Sequence, residues 1–355
     1  MTAETSALQL KSICILRLSA LGDITHSLPI FYTLRHALPE TKITWIIGKT
    51  EYQLVKEIKN VEFIIFDKSK GISEYFRLHK KLKNRNFDIL LHMQMSLRAS
   101  MISLLIKAKN KIGFDKKRAK DGQWLFTNKK IAPLSQQHVI DSFFGFTDAI
   151  GISDKKYIWD IPLSEQDKAS AKALIPATEK YIVISPCSSK DYRNWNSKSY
   201  AAIADYIKDH YHYNVLLSGG NSQTEQRYAK EIMQYCSTTP LNLIGKTTVP
   251  ELLAIIEMAE FMISPDSGPA HMATAMDTPV IGLYATTNPD RARPYLSSKW
   301  TVNRYPEAIH KKYNKNTDEV SWGARVKELW AMELISVDDV KLIVDNFMLQ
   351  LNNKD

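Results

Sequence analysis

The chain has only three cysteines in 355 residues, Cys14, Cys187 and Cys236, and none stands in a Cys-x-x-Cys pair. An odd set of distant thiols excludes a disulfide framework and a zinc finger, and it predicts a reducing compartment where these residues pack as small hydrophobes. No apolar run reaches the roughly 18 residues that a membrane-spanning helix needs, and the first residues lack the layout of a signal peptide, so a cytoplasmic protein is expected. No Gly-x-Gly-x-x-Gly follows the first apolar segment, which argues against a dinucleotide oxidoreductase. Gly-Lys-Thr occurs at 48–50 and 245–247, but the earlier glycine of a P-loop is replaced by Ile43 and Pro240. Nor is there an Asp-x-Asp pair or a His/Glu cluster to hold a divalent metal, so chemistry with no metal and no required cofactor is favoured.

A hydrophobic content of 44% with 24% charged residues fits a globular chain long enough for two domains. The net charge of +9 is uneven. Residues 1–160 hold 26 Lys and Arg against 15 Asp and Glu, a net +11, whereas the remainder holds 21 against 23, a net −2. The densest basic patch comprises Lys107, Lys109, Lys111, Lys116, Lys117, Arg118 and Lys120. Such a patch attracts nucleic acid, an anionic membrane or an acidic substrate, or it is simply a solvated face.

Apolar segments at 13–18, 43–47, 63–66 and 87–92 alternate with amphipathic stretches, the pattern of a parallel sheet covered on both faces. A polar stretch at 153–164 interrupts it and the alternation restarts at 181–185, which predicts one doubly wound domain at 1–160 and another at 161–335. The second has strand candidates at 215–217, 241–244, 261–263 and 280–284, with helices at 197–209, 223–235 and 249–258. A last amphipathic helix is expected within 336–355, folding back onto the first domain. The fold class is therefore α/β, with two Rossmann-like domains facing a central cleft and ligands at the carboxyl ends of the strands.

Loops at those ends carry the chemistry. Ile263-Ser-Pro-Asp-Ser-Gly-Pro-Ala-His271 reads as a strand feeding a helix, with Asp266 and Ser267 as capping residues, Gly268 permitting close approach and Pro269 suiting the first turn. Unpaired amides there attract phosphate; the same residues also serve as plain capping. In Leu18-Ser-Ala-Leu-Gly-Asp-Ile-Thr-His-Ser-Leu-Pro29, Gly22 is the flexible point, and Asp23 is either a cap or a base for an acceptor hydroxyl. Ser19 and His26 are further candidates for substrate contact. In Pro186-Cys-Ser-Ser-Lys-Asp-Tyr-Arg-Asn-Trp195 the hydroxyls of Ser188 and Ser189, with Lys190 and Arg193, can hold a phosphate, while Trp195 reads as core. Ser218-Gly-Gly-Asn-Ser-Gln-Thr-Glu225 pairs close backbone approach with an acid able to accept from ribose hydroxyls.

Together these residues resemble the bacterial lipopolysaccharide heptosyltransferases, glycosyltransferase family 9. The resemblance spans about residues 11–295 and rests on Arg17-Leu-Ser-Ala-Leu-Gly-Asp-Ile-Thr-His-Ser-Leu-Pro29, Gln137-His-Val-Ile-Asp141, Ser264-Pro-Asp-Ser-Gly-Pro-Ala-His271, Pro279-Val-Ile-Gly-Leu-Tyr284 and Asn288-Pro289. It implies a GT-B architecture, ADP-heptose as donor, an anionic Kdo–lipid A acceptor, peripheral association with the inner membrane surface and no nucleic-acid partner. By the same resemblance Asp23 matches the general base of an inverting transfer, with Ser19, Gly22 and His26 on the acceptor side. Arg193 stands where a phosphate-binding cation is usual, and Ser188, Ser189, Glu225, Asp266, Ser267, Gly268 and His271 match donor-contacting positions. Another GT-B enzyme or epimerase acting on a nucleotide sugar shares these features. A nucleic-acid binder or a non-catalytic membrane protein explains the lysines but leaves the phosphate-type loops without a role.

Overall fold

The computed structural model describes residues 10–175 and 180–353, and the chain divides into two compact units. Met1–Ser135 with Val139–Pro162 form the first, and Gln136–His138 with Leu163–Asp355 form the second.

In the first unit the strands are β1 (Ser12–Leu16), β2 (Lys42–Gly48), β3 (Glu62–Phe66), β4 (Asn86–His92), β5 (Lys107–Gly113) and β6 (Lys129–Lys130). The helices are α1 (Leu21–Ala37), α2 (Lys49–Val55), α3 (Ile72–Leu82), α4 (Leu97–Leu104) and α5 (Val139–Asp148). All pairings are parallel, in the order β3-β2-β1-β4-β5-β6. A strand covered by helices on both faces must be apolar throughout, and β2 buries six of its seven residues. The chain builds outward from β1 to β3, then returns to β4 on the other side of β1. That reversal leaves the loops after β1 and β4 side by side at the carboxyl edge, where ligands of such sheets bind.

The second unit repeats the plan with α6 (Glu165–Ala173), β7 (Tyr181–Ile184), α7 (Ser197–Tyr211), β8 (Asn214–Leu217), α8 (Gln223–Tyr235), β9 (Leu241–Asn242) and α9 (Val249–Glu257). There follow β10 (Met262–Pro265), α10 (Gly268–Ala275), β11 (Val280–Tyr284), α11 (Pro289–Ala292), β12 (Thr301–Asn303), α12 (Tyr305–Tyr313) and α13 (Val337–Asn352). Its sheet order is β12-β11-β10-β7-β8-β9, again parallel, with the reversal between β7 and β10.

The last helix, α13, buries Val340, Val344, Phe347 and Met348 in the core of the second unit, where the Phe347 ring meets those of Phe261 and Trp300. Its apolar stripe is met by residues of its own sheet and of α7. The lysine-rich segment 107–113, expected only as a basic patch, is the strand β5.

Candidate active site

β1 ends at Leu16, and Arg17 enters the loop with its side chain 8% exposed. The guanidinium donates to the carbonyl of Met93 after β4, lies 5.4 Å from the Phe143 ring centroid on α5, and meets Asp23 Oδ2 at 2.5 Å. Asp23 is the third residue of α1, and the same oxygen accepts from the Ala20 amide at 3.1 Å. Capping and ion pairing thus fall on one oxygen. Oδ1 has no partner among the described residues, and the side chain is 38% exposed. Gln94, from the neighbouring loop, accepts from the Leu18 amide at 2.7 Å and donates to Ser19 Oγ at 3.2 Å. Gly22 is buried, with its carbonyl accepting from Thr25, and His26 is buried edge-on to Phe143. Asp23 and Ser19 therefore stand at the loop surface, while Gly22 and His26 shape it from beneath.

In the second unit the two loops at the sheet reversal converge through charge. Asp266, just past β10, is 9% exposed; its Oδ2 is 3.1 Å from the Arg193 guanidinium and its Oδ1 3.8 Å from His271 Nε2. The same guanidinium nitrogen donates to the Asp266 carbonyl at 3.2 Å. Burial alone raises a carboxyl pKa, but the His271 hydrogen bond and the Arg193 charge outweigh it and hold Asp266 below the usual carboxylate range. Ser267 is the N-cap of α10: its hydroxyl accepts from the Ala270 amide and pairs with Ser264 Oγ at 2.7 Å. Gly268 opens that helix.

Arg193 Nε, Asn194 Nδ2 and Ser188 Oγ are buried and without a partner among the described residues. Asn194 also takes the Ser188 amide on its Oδ1 at 2.7 Å, which fixes the loop. Buried donors are costly to leave unpaired, so three of them on one loop mark a place built for a polar ligand. Ser189 is exposed at the loop tip. Glu225 is occupied within its own loop, where it accepts from the amides of Gly220 at 2.6 Å and Ser222 at 3.2 Å and completes a capping box on α8. A Cβ at either Gly219 or Gly220 would come within 3.1 Å of that carboxylate, so the two glycines make room for Glu225 itself. Trp195 is fully buried and donates to the Ile335 carbonyl. Among the described residues no three of His, Cys, Asp and Glu gather to hold a metal ion, and no helix is long and apolar enough to cross a membrane.

The model of glycosyltransferase family 9 (heptosyltransferase) matches residues 75–322. The chain belongs to glycosyltransferase family 9. Within that family it is 41% identical to the lipopolysaccharide core heptosyltransferase OpsX of Haemophilus influenzae over 93% of this chain and 95% of the relative. Among solved structures it superimposes on a family 9 glycosyltransferase from Veillonella parvula with a TM-score of 0.79 at 20% identity, covering 96% of this chain and 98% of that one. The ADP-heptose lps heptosyltransferase II of Escherichia coli gives 0.73 at 17% identity, over 96% and 99%. The fold is thus the two-domain α/β, GT-B architecture of these transferases.

Sequence reasoning about this family 9 enzyme passed over Arg17, Gln94 and Asn194. Arg17 and Asn194 sit inside segments singled out from the sequence; for Arg17 the available signal was a polar residue directly after a strand, whereas Asn194 lies ten residues past β7 and had no such signal. Gln94 gave none, because only the sheet order brings the loops after β1 and β4 together.

Proposed function

We propose that the chain moves heptose from ADP-heptose to the Kdo/heptose inner core of lipopolysaccharide in one inverting displacement, at the cytoplasmic face of the inner membrane. The H. influenzae relative is a lipopolysaccharide core heptosyltransferase and the E. coli neighbour carries ADP-heptose in its name, which supports this donor and acceptor. The observation that carries the chemistry is the split role of the Asp23 oxygens: Oδ2 is held by Arg17 and the Ala20 amide, and Oδ1 is open. In this reading Oδ1 takes the proton of the acceptor hydroxyl, whose oxygen bonds to the anomeric carbon as the carbon–oxygen bond to the diphosphate breaks and ADP leaves. Base catalysis of this kind contributes roughly 10²–10⁴ in rate.

The growing charge on the leaving diphosphate falls to Arg193, with the Asn194 amide nitrogen, the Ser188 hydroxyl and the first amides of α10 beside it. Asp266 and His271 act through Arg193: the carboxylate fixes one edge of the guanidinium and leaves the Nε side for phosphate. A net +11 over residues 1–160 draws an anionic acceptor to the first unit. The test offers Kdo–lipid A with ADP-heptose or with UDP-sugars and reads the acceptor by mass spectrometry. Gain of one heptose from ADP-heptose alone is the expected result; transfer only from UDP-sugars, or epimerisation of the donor without transfer, overturns it.

A further inference from the structure

Helices α3 and α4 cover the same face of the first sheet, with Leu78 and Leu82 of one and Ala99 and Ile102 of the other in a common core. Their opposite sides carry large apolar residues into solvent. Ile72 and Phe76, one turn apart on α3, are 75% and 71% exposed; Leu97, Met101 and Leu104 repeat at four and three residues along α4, with Leu97 60% exposed. A soluble surface rarely collects such side chains without a partner.

The charge around them is mostly positive, and the acid between Ile72 and Phe76, Glu74, is buried and paired with Arg77. Residues 75–114 contain nine Lys and Arg and a single acid, Asp88, whose carboxylate is committed to the amides of Lys11 and Ser12. Arg77 and Arg85 pair with Glu74 and Glu62, and the other seven form no ion pair among the described residues. Beside Leu104 lies an open hollow of about 400 Å³ lined by Lys107, Lys109 and Lys111. The Lys107 and Lys111 ammonium groups each donate to one carbonyl, of Lys83 and Ser103, and with Lys109 they keep further N–H groups next to a leucine for a phosphodiester headgroup with its acyl chain alongside. The apolar side of α4 also begins three residues after Gln94, which holds the loop of Asp23.

We infer that the outward face of α3, α4 and the start of β5 docks the enzyme on an anionic lipid bilayer, with the lysine-lined hollow taking a lipid phosphate. The inference rests on the reading that the acceptor is lipid-linked, and it lays that acceptor's membrane along the helix-covered face, whose Leu97 end adjoins the carboxyl edge that carries Asp23 while the hollow lies at the starts of β4 and β5. A second copy of the chain meeting this face about a twofold axis would bring like charges together, which disfavours self-association there.

The test is flotation of the full chain with vesicles of neutral phosphatidylcholine, with and without a third of phosphatidylglycerol, and no acceptor sugar. The wild type is expected to float with the anionic vesicles only, and less as salt rises. Lys107→Glu/Lys109→Glu and, separately, Leu97→Gln/Leu104→Gln should each lower the bound fraction by roughly tenfold. Both should keep the wild-type melting temperature and the wild-type turnover on a de-acylated, water-soluble acceptor. Flotation of both variants like the wild type, or equal binding of the wild type to neutral vesicles, overturns the inference. So does a lipid-free dimer in sedimentation velocity that Leu97→Gln/Leu104→Gln dissolves, since the face then belongs to a second copy. Turnover on the soluble acceptor reads the proposed reaction separately, so its absence in the wild type counts against that reaction and not against docking.

Discussion

In the first unit an aspartate rests on a buried arginine and keeps its carboxylate 38% exposed; in the second an aspartate lies between an arginine and a histidine at 9% exposed. Both pairs sit at the reversal of a 3-2-1-4-5-6 sheet, each linking the loops after two neighbouring strands. Pairing alone therefore does not decide what a carboxylate does. In the Arg17–Asp23 pair the arginine is sunk against Met93 and Phe143 and the acid is offered outward, which suits a base. In the Arg193–Asp266 pair the acid is enclosed and held ionised, and the arginine keeps a buried Nε with no partner among the described residues, which suits a seat for a diphosphate.

Four measurements break or sharpen that contrast. Asp23→Ala should lower turnover by roughly 10²–10⁴, with ADP-heptose affinity by calorimetry within about twofold of the wild type. Comparable loss of donor affinity would erase the difference between the pairs. Asp266→Asn strips a buried guanidinium of its counter-charge and should cost about 3–5 kcal/mol in denaturant unfolding, since breaking one partner of such a pair strands the other. The sign with pH follows from the depressed carboxyl: its stabilisation is complete above the ordinary carboxylate range and is lost as pH falls through the lower folded value, so the asparagine variant should lose that acid-limb slope.

A smaller effect is expected at His92, at the end of β4. Burial, with Lys111 and Arg17 adding to it, pushes its pKa from 6.5 down to about 4. The unfolded chain then takes up the proton first, so stability present above pH 6.5 declines as pH falls toward 4, by roughly 3 kcal/mol. His92→Phe should flatten the melting temperature across that window. The smallest effect belongs to Glu225→Gln, about 1 kcal/mol from a weakened capping box, with ADP-heptose affinity changed less than threefold. A larger loss of affinity would return Glu225 to the ribose.

Much of this was legible in the chain because parallel strands buried on both faces announce themselves: β2, β4, β7 and β11 are apolar runs between helical stretches. The strand β5 was not, since Lys-Ala-Lys-Asn-Lys-Ile-Gly buries only its last two residues and lies toward the sheet edge, where no continuous apolar run is needed. Asp266, Ser267 and Gly268 could be found because a strand-to-helix turn has a local signature. The partners that tune the site, Arg17 for Asp23 and Arg193 for Asp266, lie six and 73 residues away in sequence, and only the sheet order determines the more distant meeting. The stripe of α13 has the same limit: it records that a helix packs, not on what.

The outer margin of the first sheet has one more consequence. β6 pairs only Lys129 and Lys130 with the end of β5, and just before it Asn128 fills in for a further strand, its side chain taking the Lys111 amide at 2.7 Å and the Lys109 carbonyl at 3.1 Å. An open rim of backbone is a template on which a stray chain can grow into fibrils. Here an amide side chain plugs the rim and lysines line it, so crowding during synthesis finds few unpaired groups at that margin to build on.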